Sequence, residues 1–140
     1  MQAAVLKIKL PHLEQWNALR QAHAQTYTEQ LRDVVDAVPV VQPWGTHVYC
    51  YYVIQVRERD QFQKALAQEG VGATIHYPIP IHLQSACAAY GYKPGQLPVT
   101  EALAQRIISL PMYPELTEEQ LQFVIDTVKK HVVSHISHRH

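Results

Sequence analysis

Gly72-Ala73-Thr74-Ile75-His76-Tyr77-Pro78-Ile79-Pro80-Ile81-His82-Leu83-Gln84 joins two kinds of backbone. Val71–His76 reads as a strand, and His82–Tyr90 as a short helix stopped by Gly91. Between them, Pro78 and Pro80 fix φ and remove two N–H donors. Each also pushes the residue before it, Tyr77 or Ile79, toward extended geometry. A strand delivered through a stiff connector into a helix is the unit of an α/β or α+β layer. The connector also holds His76, Tyr77 and His82 at set positions. Residue types alone leave two readings open: a tight crossover with buried aromatics, or a binding loop.

Upstream, Leu13, Trp16, Leu19, Ala24, Tyr27 and Leu31 recur with helical period and predict an amphipathic helix from His12 to about Arg32. A shorter helical stretch precedes it over Gln2–Lys9, interrupted by Pro11. Val34–Val41, with Pro39 inside it, reads as an edge segment or linker. His47–Val56 is dense in aromatic and β-branched residues and predicts a central strand covered on both faces. Asp60 is placed to cap the following helix, whose stripe is Phe62, Ala65 and Leu66 and whose end is Gly70.

Downstream of the connector, Thr100 is a possible cap for a short helix ending at Arg106. Ile107–Leu110 is a strand stopped by Pro111. Thr117 and Gln120 form a capping box with Leu116 as staple. They open a helix that buries Leu121, Val124, Ile125 and Val128 and fades near His131. The expected fold is α/β (α+β), with a small mixed or antiparallel sheet of three or four strands packed with helices. The expected division is an N-terminal helical segment over 1–33, a small α/β domain over 34–131 and a frayed, histidine-rich tail over 132–140.

Lys+Arg and Asp+Glu both number 12, for zero formal net charge, so nothing suggests a nucleic-acid partner. Cys50 and Cys87 form no CxxC; a reducing compartment suits them, although two cysteines can pair. No apolar run approaches a membrane span, and the first residues lack a signal-peptide layout, so the expected location is the cytoplasm. Dinucleotide, P-loop, zincin and hydrolase-elbow motifs are missing. Ser85 and Ser109 read as ordinary hydroxyls, Cys50 as a small buried hydrophobe, and Cys87 has no base placed beside it. His131, His135, His138 and His140 read as solvent-exposed tail imidazoles in preference to a weak cation site, so no metal is expected. His76, Tyr77 and His82 remain the best binding candidates. Imidazole nitrogens and a phenol suit a phosphate- or hydroxyl-rich ligand.

Several stretches together resemble the DegT/DnrJ/EryC1/StrS aminotransferases. They are Leu6–Leu13, Trp16-Asn17, His47-Val48-Tyr49, Gly72–Gln84, Gly91-Tyr92, Pro98–Glu101 and Ile108–Thr117. The resemblance runs from Gln2 to about Val128 and points to the C-terminal small domain of such enzymes, as in fold-type I pyridoxal-phosphate proteins. It implies pyridoxal phosphate in the full-length family and amination of nucleotide-linked keto sugars. It also implies that the aldimine lysine lies upstream of the matching segment. None of Lys7, Lys9, Lys64, Lys93, Lys129 and Lys130 sits in the family's lysine motif, so no catalytic or cofactor-binding residue is expected here and no cofactor is expected on this chain.

Carried across by motif, His76, Tyr77, His82 and Gln84 face the substrate, with Tyr49 and His47 at the same cleft. Cys50, Gln55 and Ser85-Ala86-Cys87 depart from the family's usual histidine, arginine and Pro-Ala-Tyr. The function implied is a small domain not catalytically competent alone. The alternative is a non-catalytic interaction or complementation module. The partners implied are a second copy or a separately encoded large domain, with a nucleotide-sugar bound only weakly.

Overall fold

The computed structural model describes residues 1–137, with side chains described through Val132. Helix α1 (Gln2–Lys9) passes through a 3-10 turn (Leu10–His12) into α2 (Leu13–Leu31). Strand β1 (Tyr52–Gln55), α3 (Arg59–Gln68), α4 (Pro98–Ala104), β2 (Ile107–Leu110) and α5 (Glu118–Ser137) follow. Two further 3-10 segments, Ile81–Leu83 and Ser85–Tyr90, lie between α3 and α4.

Among the described residues the sheet has two strands, not three or four. β1 and β2 pair antiparallel, with Val53 opposite Ser109 and Ile54 opposite Ile108. Each outer edge carries a single bridge, Ala37 to Gln55 on one side and Thr74 to Ser109 on the other. Pro39, two residues past the first bridge, has no N–H to extend a ladder. Pro78 and Pro80 bring the same deficit beyond the second. One bridge per edge leaves both expected outer strands as irregular chain.

The predicted strand His47–Val56 is also shorter than expected. The Tyr49 N–H donates to His47 Nδ1 at 2.8 Å, while Arg20 Nε donates to Val48 O and Gln21 Nε2 to His47 O. Backbone groups that a ladder would use are thereby engaged by side chains, and Tyr49 sits in the left-handed region at φ 49°. Tyr52, Ile54 and Val56 are buried, while Val53 and Gln55 on the other face of β1 are half-buried, so its two faces are covered unequally. Cys50, read as buried, is exposed, and Cys87 is half-buried; both are free thiols.

The core lies between the second half of α2, the two strands, α3 and α5. Tyr27, Leu31, Tyr52, Ile54, Phe62, Leu66, Ile108, Ile125 and Val128 are its fully buried large side chains. Tyr27 and Tyr52 pack with ring centroids 4.9 Å apart, and their hydroxyls are satisfied by Pro111 O and Thr28 Oγ1. The N-terminal helical segment therefore divides in function: α1 buries no residue, whereas Ala24, Tyr27 and Leu31 of α2 belong to the core.

Helix ends follow sequence chemistry in some places and depart from it in others. Thr117 Oγ1 accepts the Gln120 N–H at 3.2 Å and Gln120 Oε1 accepts the Thr117 N–H at 3.0 Å, the predicted capping box. Gly70 and Gly91 take positive φ at 83° and 73°, as the stops require. Asp60 does not cap α3; Glu58 holds that position and Asp60 pairs with Arg59 Nε. Thr100 is inside α4, whose N-cap is Leu97. α5 continues past His131 to Ser137. His138 and His140 lie outside the described residues, as does the His135 side chain.

Candidate substrate-binding site

The connector is anchored to the edge of β2 by the Thr74–Ser109 bridge, whose backbone bonds are 3.1 and 2.7 Å long. That anchor sets His76. Its Nδ1 is 3.0 Å from Ser109 Oγ, and its ring stacks on Tyr51 at 4.1 Å between centroids. Tyr77 meets His76 edge-on at 5.6 Å and is 67% exposed. With Nδ1 engaged, the other ring nitrogen of His76 is the one left to serve a ligand, beside the exposed phenol of Tyr77.

Past Pro80 the chain tightens into the Ile81–Leu83 turn and turns His82 inward. His82 is 8% exposed, with Nε2 3.1 Å from Glu101 Oε1 and its ring edge-on to Tyr92 at 5.9 Å. Gln84 Nε2 donates to Ile79 O at 3.3 Å, closing the connector on itself. Glu101 also accepts N–H bonds from Gly95 and Leu97. These two backbone donors, Gly95 foremost, hold its carboxyl below the usual carboxylate range, with a smaller contribution from His82.

His47 and Tyr49 occupy a different place. Their rings lie 4.2 Å apart in the loop before β1, along an open cavity of about 800 Å³ between α2 and that loop. Gln21, Gln25 and Thr28 of α2, with Arg32 at its C-cap, line its other side. The six candidates thus fall into three groups with separate partners: His76 with Tyr77, His82 with Gln84 on the following turn, and His47 with Tyr49.

Three partners were not singled out from the sequence as site residues: Tyr51, Glu101 and Tyr92. Ser109 was read as an ordinary hydroxyl. Its signal was present, because a lone hydroxyl in the apolar run Ile107–Leu110 needs a partner when buried. Tyr51 had no such signal, since nothing local tells which face of a short strand stacks on a residue 25 positions away.

The six lysines lie apart from the candidate residues in the structure's hydrogen bonds and ring contacts. Lys7 and Lys9 are exposed on α1, and Lys64 and Lys93 are exposed elsewhere. Lys129 Nζ donates to Gln30 Oε1 and Lys130 Nζ to Glu69 Oε1. None lines the cavity beside α2.

The chain belongs to the DegT/DnrJ/EryC1/StrS aminotransferase family, whose model matches residues 1–129. It is 44% identical over 132 residues to the pleiotropic regulatory protein of Geobacillus stearothermophilus, across 91% of this chain and 35% of that protein. It is 37% identical over 131 residues to the dTDP-3-amino-3,4,6-trideoxy-alpha-D-glucose transaminase of Streptomyces venezuelae, across 93% of this chain and 35% of that protein. Among solved structures, S. venezuelae DesV in complex with a ketimine intermediate matches with a TM-score of 0.90 at 36% identity, over 94% of this chain and 36% of that one. The chain spans about a third of the length of these curated relatives. Among the described residues, no helix is long and apolar enough to cross a membrane.

Proposed function

We propose that this chain is the C-terminal small domain of a cytoplasmic, pyridoxal-phosphate-dependent aminotransferase acting on nucleotide-linked keto sugars. In this reading it supplies part of the substrate wall and none of the cofactor site. The observation that carries the reading is the family match over residues 1–129, joined to coverage of only about a third of the relatives. His76 and Tyr77 present an imidazole nitrogen and a phenol, suited to sugar hydroxyls or a diphosphate. His82 and Gln84 hold the connector's second half, and His47 and Tyr49 line the neighbouring cavity. Transamination then requires a large domain that provides the lysine and the electron sink.

The chain as it stands is expected to bind a nucleoside-diphosphate sugar weakly, with Kd on the order of 1 mM or above, because half the contacts are missing. A proton–nitrogen NMR titration should move the amides of residues 75–84 first. Micromolar affinity, or shifts confined to other surfaces, would overturn the reading. Incubation with pyridoxal phosphate, borohydride reduction and mass analysis should find scattered, substoichiometric labelling of surface lysines. Stoichiometric capture at one lysine would show a complete cofactor site instead.

The second reading is an interaction or complementation module. It is favoured by one observation: α1 carries Val5, Leu6 and Ile8 exposed and buries nothing.

A further inference from the structure

We propose that Glu101 is a positioning residue for the candidate site. Its carboxylate holds the His82 ring as the Nε2–H tautomer and ties the connector to the loop of residues 91–97. The consequence for substrate rests on the function proposed above; the positioning itself does not.

The geometry is that of a hub. Oε1 of Glu101 lies 3.0 Å from the Gly95 N, 3.1 Å from the Leu97 N and 3.1 Å from His82 Nε2, and Oε2 lies 2.7 Å from the Gly95 N. The Glu101 side chain is 18% exposed and that of His82 is 6% exposed, so this bond is shielded from water. Two backbone donors on one carboxylate favour its ionised form, and an ionised carboxylate only accepts. The hydrogen in the bond to His82 therefore sits on Nε2, and in the neutral ring Nδ1 is the acceptor.

Tyr92, from the same loop as Gly95, closes the edge of the His82 ring. Three pieces of chain converge on one carboxylate: the turn Ile81–Leu83, the loop before α4, and α4 itself. The His82 ring is covered, while Tyr77 on the first half of the connector is exposed. Replacing Glu101 with glutamine keeps one oxygen but turns an NH2 group toward donors. Replacing it with alanine removes every acceptor at once.

The test is histidine side-chain and backbone proton–nitrogen NMR on the full chain, with E101A and E101Q beside the unaltered protein. At neutral pH, His82 is expected to carry its proton on Nε2. In E101A both ring nitrogens should move toward averaged tautomer values. The amides of Ile81, Leu83, Gly95 and Leu97 should shift together, while those of Tyr52–Gln55 stay in place. E101Q should fall between the two. A His82 protonated on Nδ1 in the unaltered chain overturns the proposal, whether or not either variant folds. So does a folded E101A whose connector amides do not move. A nucleotide-sugar titration on the same samples separates the two ideas. A tautomer that depends on Glu101 in a chain where the sugar nucleotide shifts only surfaces other than the connector upholds the positioning and refutes the substrate reading.

Discussion

Tyr52 links the α2 helix to the sheet through a single hydroxyl. Its O–H pairs with Thr28 Oγ1 at 2.8 Å, and Thr28 Oγ1 donates in turn to Ala24 O at 2.8 Å. Burial pushes the Tyr52 phenol up to about 12, and burial pushes Tyr27 upward as well. Both groups have folded values above their unfolded ones, so their contribution is fully present below pH ~10 and is lost as pH rises through the folded value. Stability measured by urea unfolding should therefore hold up to about pH 10 and fall steeply between about pH 10 and 12. Y52F should flatten part of that fall and cost about 1 kcal/mol at neutral pH, the usual worth of one such bond. An unchanged alkaline slope in Y52F would mean that another group carries the effect.

The elements differ in how much they owe to their own residues. α5 begins on a reciprocal Thr117–Gln120 cap, with Leu116 buried just ahead of it. T117A should cost about 1 kcal/mol in equilibrium unfolding, and T117S should recover most of it. A loss below a few tenths would show that tertiary packing, not the cap, starts this helix. β1 is the opposite case. Its residues favour a long strand, yet Arg20, Gln21 and His47 take the backbone groups of 47–49 and leave only Tyr52–Gln55 paired. The connector lies between these cases, with local stiffness from two prolines and its anchoring from Ser109 and Glu101 on distant elements.

Taken together, the packing is lopsided. The core is closed by α2, α3, α5 and the two strands, while α1 and the turn after it extend with Leu6, Ile8 and Leu10 in solvent. Apolar side chains grouped in this way favour association, and two-fold pairing is the commonest outcome for a single chain. Sedimentation equilibrium at tens of micromolar should give a mass above that of the 16.0 kDa chain. L6E with I8E should lower it without changing the unfolding midpoint, because α1 buries nothing in the monomer. A clean monomer of the unaltered chain would end this expectation.

Local chemistry made much of this protein legible in advance. The helical period of α2 and α5, the capping box at Thr117, the glycine stops at Gly70 and Gly91, and the family motifs all depend on residues within a few positions of one another. Such signals survive reading the chain one segment at a time. The number of strands did not survive it, because pairing depends on which partner meets each backbone donor. Pro39, Pro78 and Pro80 removed donors, and side chains from α2 claimed others. The candidate site divided for the same reason. His76 was visible as a histidine on a stiff connector, but its Tyr51 and Ser109 partners come from two different strand regions. Glu101 reached His82 only once α4 had packed beside the connector. Contacts between residues far apart in sequence follow from how the layers close, and that closure belongs to the tertiary structure.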